Sequence, residues 1–184
     1  MKHTLSNLLL PLLISPIILS CHALAPEAAS ATSGKAEREI VRVTGCHDGD
    51  TCRALAKNGD RISVRLSGID APEVGQDFCP EAIVYLESLV KDRDIEIECD
   101  GTSYARRTCF LFVDGLNVNE EMVRAGFAWD FPRHSGGRYA PMEADARHNQ
   151  RGLWAGRNIV SPFCARMMTP YSERRCKLNP QYQD

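Results

Sequence analysis

The sequence lacks a large excess of charge of either sign. It has 22 Lys and Arg residues against 24 Asp and Glu residues, which gives a formal net charge of -2 and a sequence pI of about 6.2. A protein that coats nucleic acid through charge alone is strongly basic. The composition therefore excludes that class, and any contact with nucleic acid must be local or assisted by a bound cation.

The N-terminal apolar run is too short to cross a membrane comfortably. Leu8–Leu19 has 12 residues and is interrupted by proline and serine. Such a run is typical of the core of a signal peptide. We expect residues 1–20 to be a signal peptide and residues 21–36, rich in Ala, Ser and Pro, to be a flexible tether. The predicted location is that of an exported bacterial protein: periplasmic, anchored at the cell surface as a lipoprotein, or secreted.

Two processing sites remain open. The stretch Ile18-Leu19-Ser20-Cys21 resembles a bacterial lipobox, in which Cys21 would be lipidated and anchor the protein to a membrane. The stretch Ala29-Ser30-Ala31 is instead a small-x-small match to a signal-peptidase site. Cleavage there would release a protein without an anchor.

The 8 cysteines include no Cys-x-x-Cys pair, so a zinc site is not expected. In an oxidising compartment disulfides are the default interpretation. Cys79 is the candidate for the unpaired residue. Spacing does not fix connectivity, but the positions of the others suggest three pairs: Cys46 with Cys52 around Gly49, Cys99 with Cys109 across a short loop, and Cys164 with Cys176 in the C-terminal tail.

The apolar pattern predicts mostly strands followed by helices. Glu39–Cys46 and Thr51–Ala56 are strand-like and meet at a turn, and Arg61–Leu66 alternates with period two. Pro80 can open one helix, Asn117 or Asn119 can cap a second, and 139–150 is helical in character. We expect an α+β, mainly β fold over residues 37–156, with five strands closed into a small sheet and three packed helices, followed by a tail over 157–184.

Charge is unevenly spread along the chain. From Lys35 to Asp130 there are 12 basic and 19 acidic residues, whereas from Phe131 to Lys177 there are 9 basic and three acidic ones. Solvated helix faces explain most of these charges. An alternative is an acidic half that seeks a cation beside a basic half that meets phosphate.

Candidate chemistry is concentrated in three short stretches. Asp48-Gly49-Asp50 carries two carboxylates on a tight turn, which can serve a hard cation such as calcium, although Asp-Gly is also an ordinary turn. Arg65 is followed by Asp70 and Glu73 in a loop stiffened by proline. Two fixed carboxylates and a guanidinium suit hydrolysis of a phosphodiester. Tyr104-Ala105-Arg106-Arg107 offers a further Arg on a hairpin.

Together these stretches resemble the staphylococcal nuclease (thermonuclease) family in their order and spacing. The matching runs are Asp48-Gly49-Asp50-Thr51, Arg65-Leu66-x-Gly68-Ile69-Asp70-Ala71-Pro72-Glu73, Tyr104-Ala105-Arg106, Val118-Asn119-Glu120, Val123 to Ala128 and Arg151-Gly152-Leu153-Trp154. The resemblance covers about Ile40 to Trp154 and implies an OB-type five-stranded barrel with three helices. It further implies a calcium-dependent nuclease that cleaves DNA or RNA and leaves 3′-phosphate ends.

The resemblance also implies roles for individual residues. These are Asp50, Asp70 and the Ala71 carbonyl as calcium ligands, Glu73 as general base, Arg65 and Arg106 as phosphate-binding residues with Arg107 as the runner-up to Arg106, and Asp48 as an acid that orients the metal site. We expect a monomer whose partner is its nucleic-acid substrate. The alternative is an OB-type module that binds nucleic acid or protein without turnover.

Two departures from the family pattern concern substrate binding. Ala105 stands where the family has Gly, which restricts the loop that carries Arg106. The nucleotide-stacking Tyr residues of the family have no clear match here. Trp129 or Phe131 could stack on a base, or both could belong to the core.

Overall fold

A computed structural model of the protein describes residues 38–157 and 159–167. The predicted signal peptide, the tether, Cys21 and most of the C-terminal tail lie outside the described residues. Among those described, no helix combines the length and apolar character needed to cross a membrane.

Eight strands and five helices follow one another along the described chain. The strands are β1 (Glu39–Cys46), β2 (Thr51–Ala56), β3 (Arg61–Leu66), β4 (Ile69–Asp70), β5 (Asp94–Ser103), β6 (Arg106–Val113), β7 (Leu116–Asn117) and β8 (Trp129–Asp130). The helices are α1 (Cys79–Val90), α2 (Val118–Arg124), α3 (Pro132–Ser135), α4 (Ala140–His148) and α5 (Pro162–Arg166), with a 3-10 turn at Gly152–Ala155.

Five strands close into a barrel, as predicted. The order β3-β2-β1-β5-β6 is antiparallel throughout, and a parallel pairing of β3 with β6 completes the circle. Alternate residues such as Val41, Val43 and Leu111 point inward and are almost fully buried, as a half-buried strand requires. Leu86 of α1 and Met122 of α2 cover the barrel core.

The three longer helices α1, α2 and α4 correspond to the three predicted ones. Pro80 lies in the first turn of α1. Asn117 caps α2 by accepting a hydrogen bond from the amide of Glu120, so it is the cap among the two candidates. The short helices α3 and α5 were not predicted, because segments of four or five residues carry too few turns for an apolar period.

The cysteine predictions are confirmed where the structure describes both partners. Cys46 is bonded to Cys52 and Cys99 to Cys109, and Cys79 is free and buried. Cys164 is also disulfide-bonded. The predicted partner, Cys176, lies outside the described residues.

A second apolar cluster attaches the C-terminal segment to the barrel. Its buried members are Trp129, Ala146, Leu153 and Trp154, and Phe78 and Ile159 pack against them. Gly126, after α2, lies directly against the turn that carries Leu153, because the Leu153 amide donates to its carbonyl at 2.9 Å. This cluster fixes where the chain enters α5.

Candidate active site

The turn between β1 and β2 presents the first carboxylates. The Oδ1 atom of Asp48 accepts a hydrogen bond from the Asp50 amide at 3.0 Å. A Cβ atom on Gly49 would lie 2.7 Å from that of Ala71 and 2.8 Å from that of Ala82. Only glycine therefore allows the turn to approach both the β4 loop and α1. The Cys46–Cys52 disulfide closes the turn at its base.

Asp50 is buried and fully engaged. Its Oδ2 accepts from the Ala71 amide at 3.0 Å, and its Oδ1 accepts from the Thr51 hydroxyl at 3.0 Å and from Arg65 at 2.5 Å. Burial raises the pKa of Asp50; the Arg65 charge offsets part of this rise, while the nearby Asp48 and Asp70 carboxylates add to it.

Arg65 bridges two buried carboxylates. Its second terminal nitrogen donates to Asp70 Oδ1 at 3.0 Å, while the first contacts Asp50. Burial alone would lower the pKa of Arg65, but the charges of Asp50 and Asp70 outweigh it and raise the pKa. The side chain is therefore a cation held by partners on two separate elements.

The β4 loop carries Asp70 and Glu73. Pairing of β4 with β8 holds Asp70 in a buried position. The Glu73 amide donates to Gln76 Oε1 at 2.8 Å, which orders the loop beyond the proline. The Glu73 carboxylate is half-buried, with 36% of its side chain exposed.

Arg106 reaches the site from the opposite strand. It begins β6, whose parallel pairing with β3 places Thr108 beside Arg65. Its guanidinium donates to the Thr51 hydroxyl at 3.3 Å. Arg107 points elsewhere and pairs with Glu39 at 2.8 Å, so Arg106 is the one of the two that reaches the site.

Arg166 of α5 completes the cluster, and it is the site residue that sequence reasoning missed. It donates to Asp70 Oδ1 at 3.0 Å and Oδ2 at 2.7 Å, and it also contacts Glu73 Oε1. These partners are 96 and 93 positions away along the chain. The surplus of Arg in the C-terminal half was the only signal, and it does not single out this residue.

The four charged side chains that are not fully buried border one cleft with a volume of about 620 Å³. Arg65, Glu73, Arg106 and Arg166 are among its lining residues, as are Tyr104 and Phe131. Of the two aromatic candidates for base stacking, Phe131 reaches the cleft. Trp129 packs with Trp154 in the second apolar cluster, with ring centroids 5.2 Å apart, and belongs to the core.

The donor set is that of a hard cation. Asp50 and Asp70 supply buried carboxylates, and the main-chain carbonyl of Ala71 follows Asp70 directly in the chain. No group of three or more His, Cys, Asp or Glu side chains arranged to hold a metal occurs within 38–157 and 159–167. Oxygen-only sites with few protein ligands suit calcium or magnesium, which keep water in the remaining positions, so the residues present fit such an ion.

Sequence comparisons give a consistent result. The profile of a family described as "Staphylococcal nuclease homologue" matches residues 63–156. A Haemophilus influenzae protein named "Uncharacterized endonuclease" is 34% identical over 131 residues, covering 68% of this chain and 72% of the relative. A "Micrococcal nuclease" of Shigella flexneri is 32% identical over 138 residues, covering 68% of this chain and 77% of the relative. An Escherichia coli O157:H7 protein also named "Uncharacterized endonuclease" is 33% identical over 127 residues, covering 67% of this chain and 80% of the relative.

Proposed function

Because the chain belongs to the staphylococcal nuclease family, we propose that it is an exported calcium-dependent endonuclease that hydrolyses phosphodiester bonds of DNA or RNA and leaves 3′-phosphate ends. One observation carries this proposal: four separate segments bring five charged side chains together. Arg65, Glu73 and Arg106 line a single cleft, and the buried carboxylates Asp50 and Asp70 are bonded to Arg65. The names of the relatives, endonuclease and micrococcal nuclease, support the same chemistry.

Asp50, Asp70 and the Ala71 carbonyl would hold the cation. A bound calcium ion would neutralise a phosphate oxygen and favour attack by a neighbouring water. Asp48 would orient this set, because its Oδ1 fixes the Asp50 amide. The burial of both ligand carboxylates strengthens their attraction to a divalent ion.

Glu73 is the proposed general base. It is half-buried, lines the cleft and follows Asp70 by three residues, so its carboxylate can take a proton from water beside the cation site. Arg65 and Arg106 would stabilise the negative charge that develops on the phosphate. Arg65 is well suited to this role, since its carboxylate partners hold it rigidly.

The test is digestion of single- and double-stranded DNA and RNA by the purified mature protein, with calcium and then with chelator. We expect cutting that requires calcium and is lost in Glu73→Gln, with 3′-phosphate ends on the products. Glu81→Gln is the matched control: it removes an exposed carboxylate on α1 that makes no ion pair with any described residue.

Binding of nucleic acid without cutting would contradict the enzyme and favour the OB-type binding module. Full activity in Glu73→Gln would leave the enzyme intact but overturn the assignment of its base.

Export and processing are tested separately. The disulfides support folding in an oxidising compartment. Mass spectrometry of the mature N-terminus distinguishes an acylated Cys21 from a chain cut after Ala31. Light scattering of the mature protein tests the expected monomer.

A further inference from the structure

Arg166 occupies the carboxylates that a cation would need. Its two terminal nitrogens contact both oxygens of Asp70, and one of them also contacts Glu73. Arg65 contacts Asp70 Oδ1 as well. A carboxylate offers about four lone-pair sites, and three of those on Asp70 are taken by guanidinium donors.

The position of Arg166 is built into the fold. Ile159 packs against the second apolar cluster, and the Val160 carbonyl accepts from Gln76 Nε2 at 3.0 Å. The Oε1 atom of Gln76 also accepts a hydrogen bond from the Glu73 amide. One side chain thus ties the loop that carries Glu73 to the segment that carries Arg166.

A calcium ion and the Arg166 guanidinium would compete for Asp70, because Arg166 contacts both of its carboxylate oxygens whereas Arg65 contacts only Oδ1. Calcium binds carboxylate oxygens at about 2.3–2.6 Å, inside the 2.7 Å and 3.0 Å contacts of Arg166. Two cations so close would repel each other in a setting where Asp70 is almost fully buried. Arg166 is the more exposed of the two partners and loses less packing when it leaves, since 39% of its side chain is exposed against 15% for Arg65.

We infer that Arg166 is the internal counter-cation of the metal site, held on Asp70 and Glu73 until a divalent cation displaces it. The inference rests on the proposed function, because it takes Asp70 as a metal ligand. It assigns to α5, which lies beyond the matched family region of 63–156, a direct influence on metal affinity.

The test is calorimetric titration of the mature protein with calcium chloride, without nucleic acid. Arg166→Gln removes the competing cation, so we expect about tenfold tighter calcium binding than in the wild type. Calcium should also raise the melting temperature of this variant more than that of the wild type, because ligand affinity and stabilisation are linked.

Two controls isolate the contact from net charge and from folding. Arg61→Gln removes the same charge at an exposed position on β3 that makes no ion pair with any described residue, and its calcium affinity should match the wild type. Arg166→Lys keeps a cation beside Asp70, so it should fold even if Arg166→Gln does not. Its affinity should fall between those of the wild type and a variant without the charge.

Unchanged or weaker calcium binding in folded Arg166→Gln and Arg166→Lys overturns the inference while leaving the nuclease intact. Tighter calcium binding by Arg166→Gln than by the wild type and Arg61→Gln supports the inference. Absence of calcium binding in every variant overturns the calcium-dependent function itself, and with it the inference.

Discussion

Arg65 shows how one residue can serve both structure and chemistry. Its guanidinium balances two buried carboxylates from the β1–β2 turn and from β4. Removal of one member of such a group leaves a buried charge uncompensated. For any substitution of Arg65, both the stability and the activity of the variant therefore have to be measured.

Arg65→Ala should lower nuclease activity by about 10²–10³-fold, the range seen when one transition-state donor is removed. It should also lower the melting temperature measured in chelator. Arg61→Ala on the same strand is the control and should change neither. Full activity of folded Arg65→Ala would show that the phosphate is bound elsewhere.

Asn119 is the buried polar residue that joins α2 to the barrel. Its Oδ1 accepts from the Leu111 amide at 3.0 Å, and its Nδ2 donates to the carbonyls of Ser67 at 2.9 Å and Cys109 at 3.2 Å. Asn119→Ala would leave all three main-chain groups without this partner, at a cost of about 2–4 kcal/mol in free energy of unfolding. Urea denaturation measures this cost.

The exposed Asn149 provides the comparison, because among the described residues its side chain hydrogen-bonds to Asp145 alone. Asn149→Ala should change the free energy of unfolding by less than about 0.5 kcal/mol. An equal effect of the two substitutions would contradict a joining role for Asn119.

At the scale of elements, the contact between Gly126 and Gly152 joins the end of α2 to the 3-10 turn. A Cβ atom on Gly126 would lie 2.2 Å from the Arg151 carbonyl oxygen, and one on Gly152 would lie 2.4 Å from that of Gly126. Both glycines also have positive φ, of 79° and 55°. The two segments approach at a distance that no side chain permits.

Comparison with Gly115→Ala separates the two costs of Gly126→Ala, which are the strain of a positive φ and the steric clash of the new Cβ atom. Gly115 has a φ of 82°, but a Cβ there would meet nothing within 4 Å. We expect Gly115→Ala to cost about 1–2 kcal/mol through its backbone conformation. Gly126→Ala should cost a further 1–3 kcal/mol or so through the clash. Chemical denaturation of both variants gives the difference, and equal costs would argue against the close approach.

The two disulfides each close a loop that supplies the site. Cys46–Cys52 spans the turn with Asp48 and Asp50, and Cys99–Cys109 spans the hairpin with Arg106. Replacing either pair by alanine should lower the free energy of unfolding by about 2–3 kcal/mol and reduce nuclease activity. Cys79→Ala removes a buried sulfur without opening a loop, so its activity should persist. Full activity with both pairs replaced would show that the two loops keep their conformation without the disulfides.

Much of the site was predictable because its parts are local in sequence. Asp48 and Asp50 lie on one turn, and Asp70 and Glu73 on one loop, so their spacing carries a readable pattern. Arg166 was not predictable, because the helix that carries it is short and its partners come from a loop more than 90 positions earlier. The position of Trp129 was equally unpredictable from the sequence, since its packing against Trp154 decides whether it lies in the core or in the cleft.

At the scale of the whole molecule, burial of the carboxylate cluster couples pH to stability. Burial raises the pKa of Asp50 above its ordinary value of 3.8, and the Arg65 charge offsets part of this rise. Between the ordinary and the raised pKa the folded protein holds a proton that the unfolded chain has released. Without metal, the free energy of unfolding should therefore fall as the pH rises through this window.

Urea denaturation in chelator between pH 5 and pH 8 or so tests this coupling. The slope for one full proton is about 1.4 kcal/mol per pH unit, and Asp50→Asn should reduce it. Asp60→Asn, at an exposed turn, should leave the slope unchanged. A wild-type stability that does not vary over this range would show that Asp50 is ionised throughout.

The two disulfide-closed loops would also determine when the proposed nuclease becomes active. A newly synthesised chain in a reducing cytoplasm has neither crosslink, so the loops that bear Asp50 and Arg106 are not yet fastened. For the exported nuclease proposed above, competence to cut would then arrive with oxidation and not with synthesis. The same two bonds would spare the nucleic acid of the producing cell and stabilise the folded protein after export.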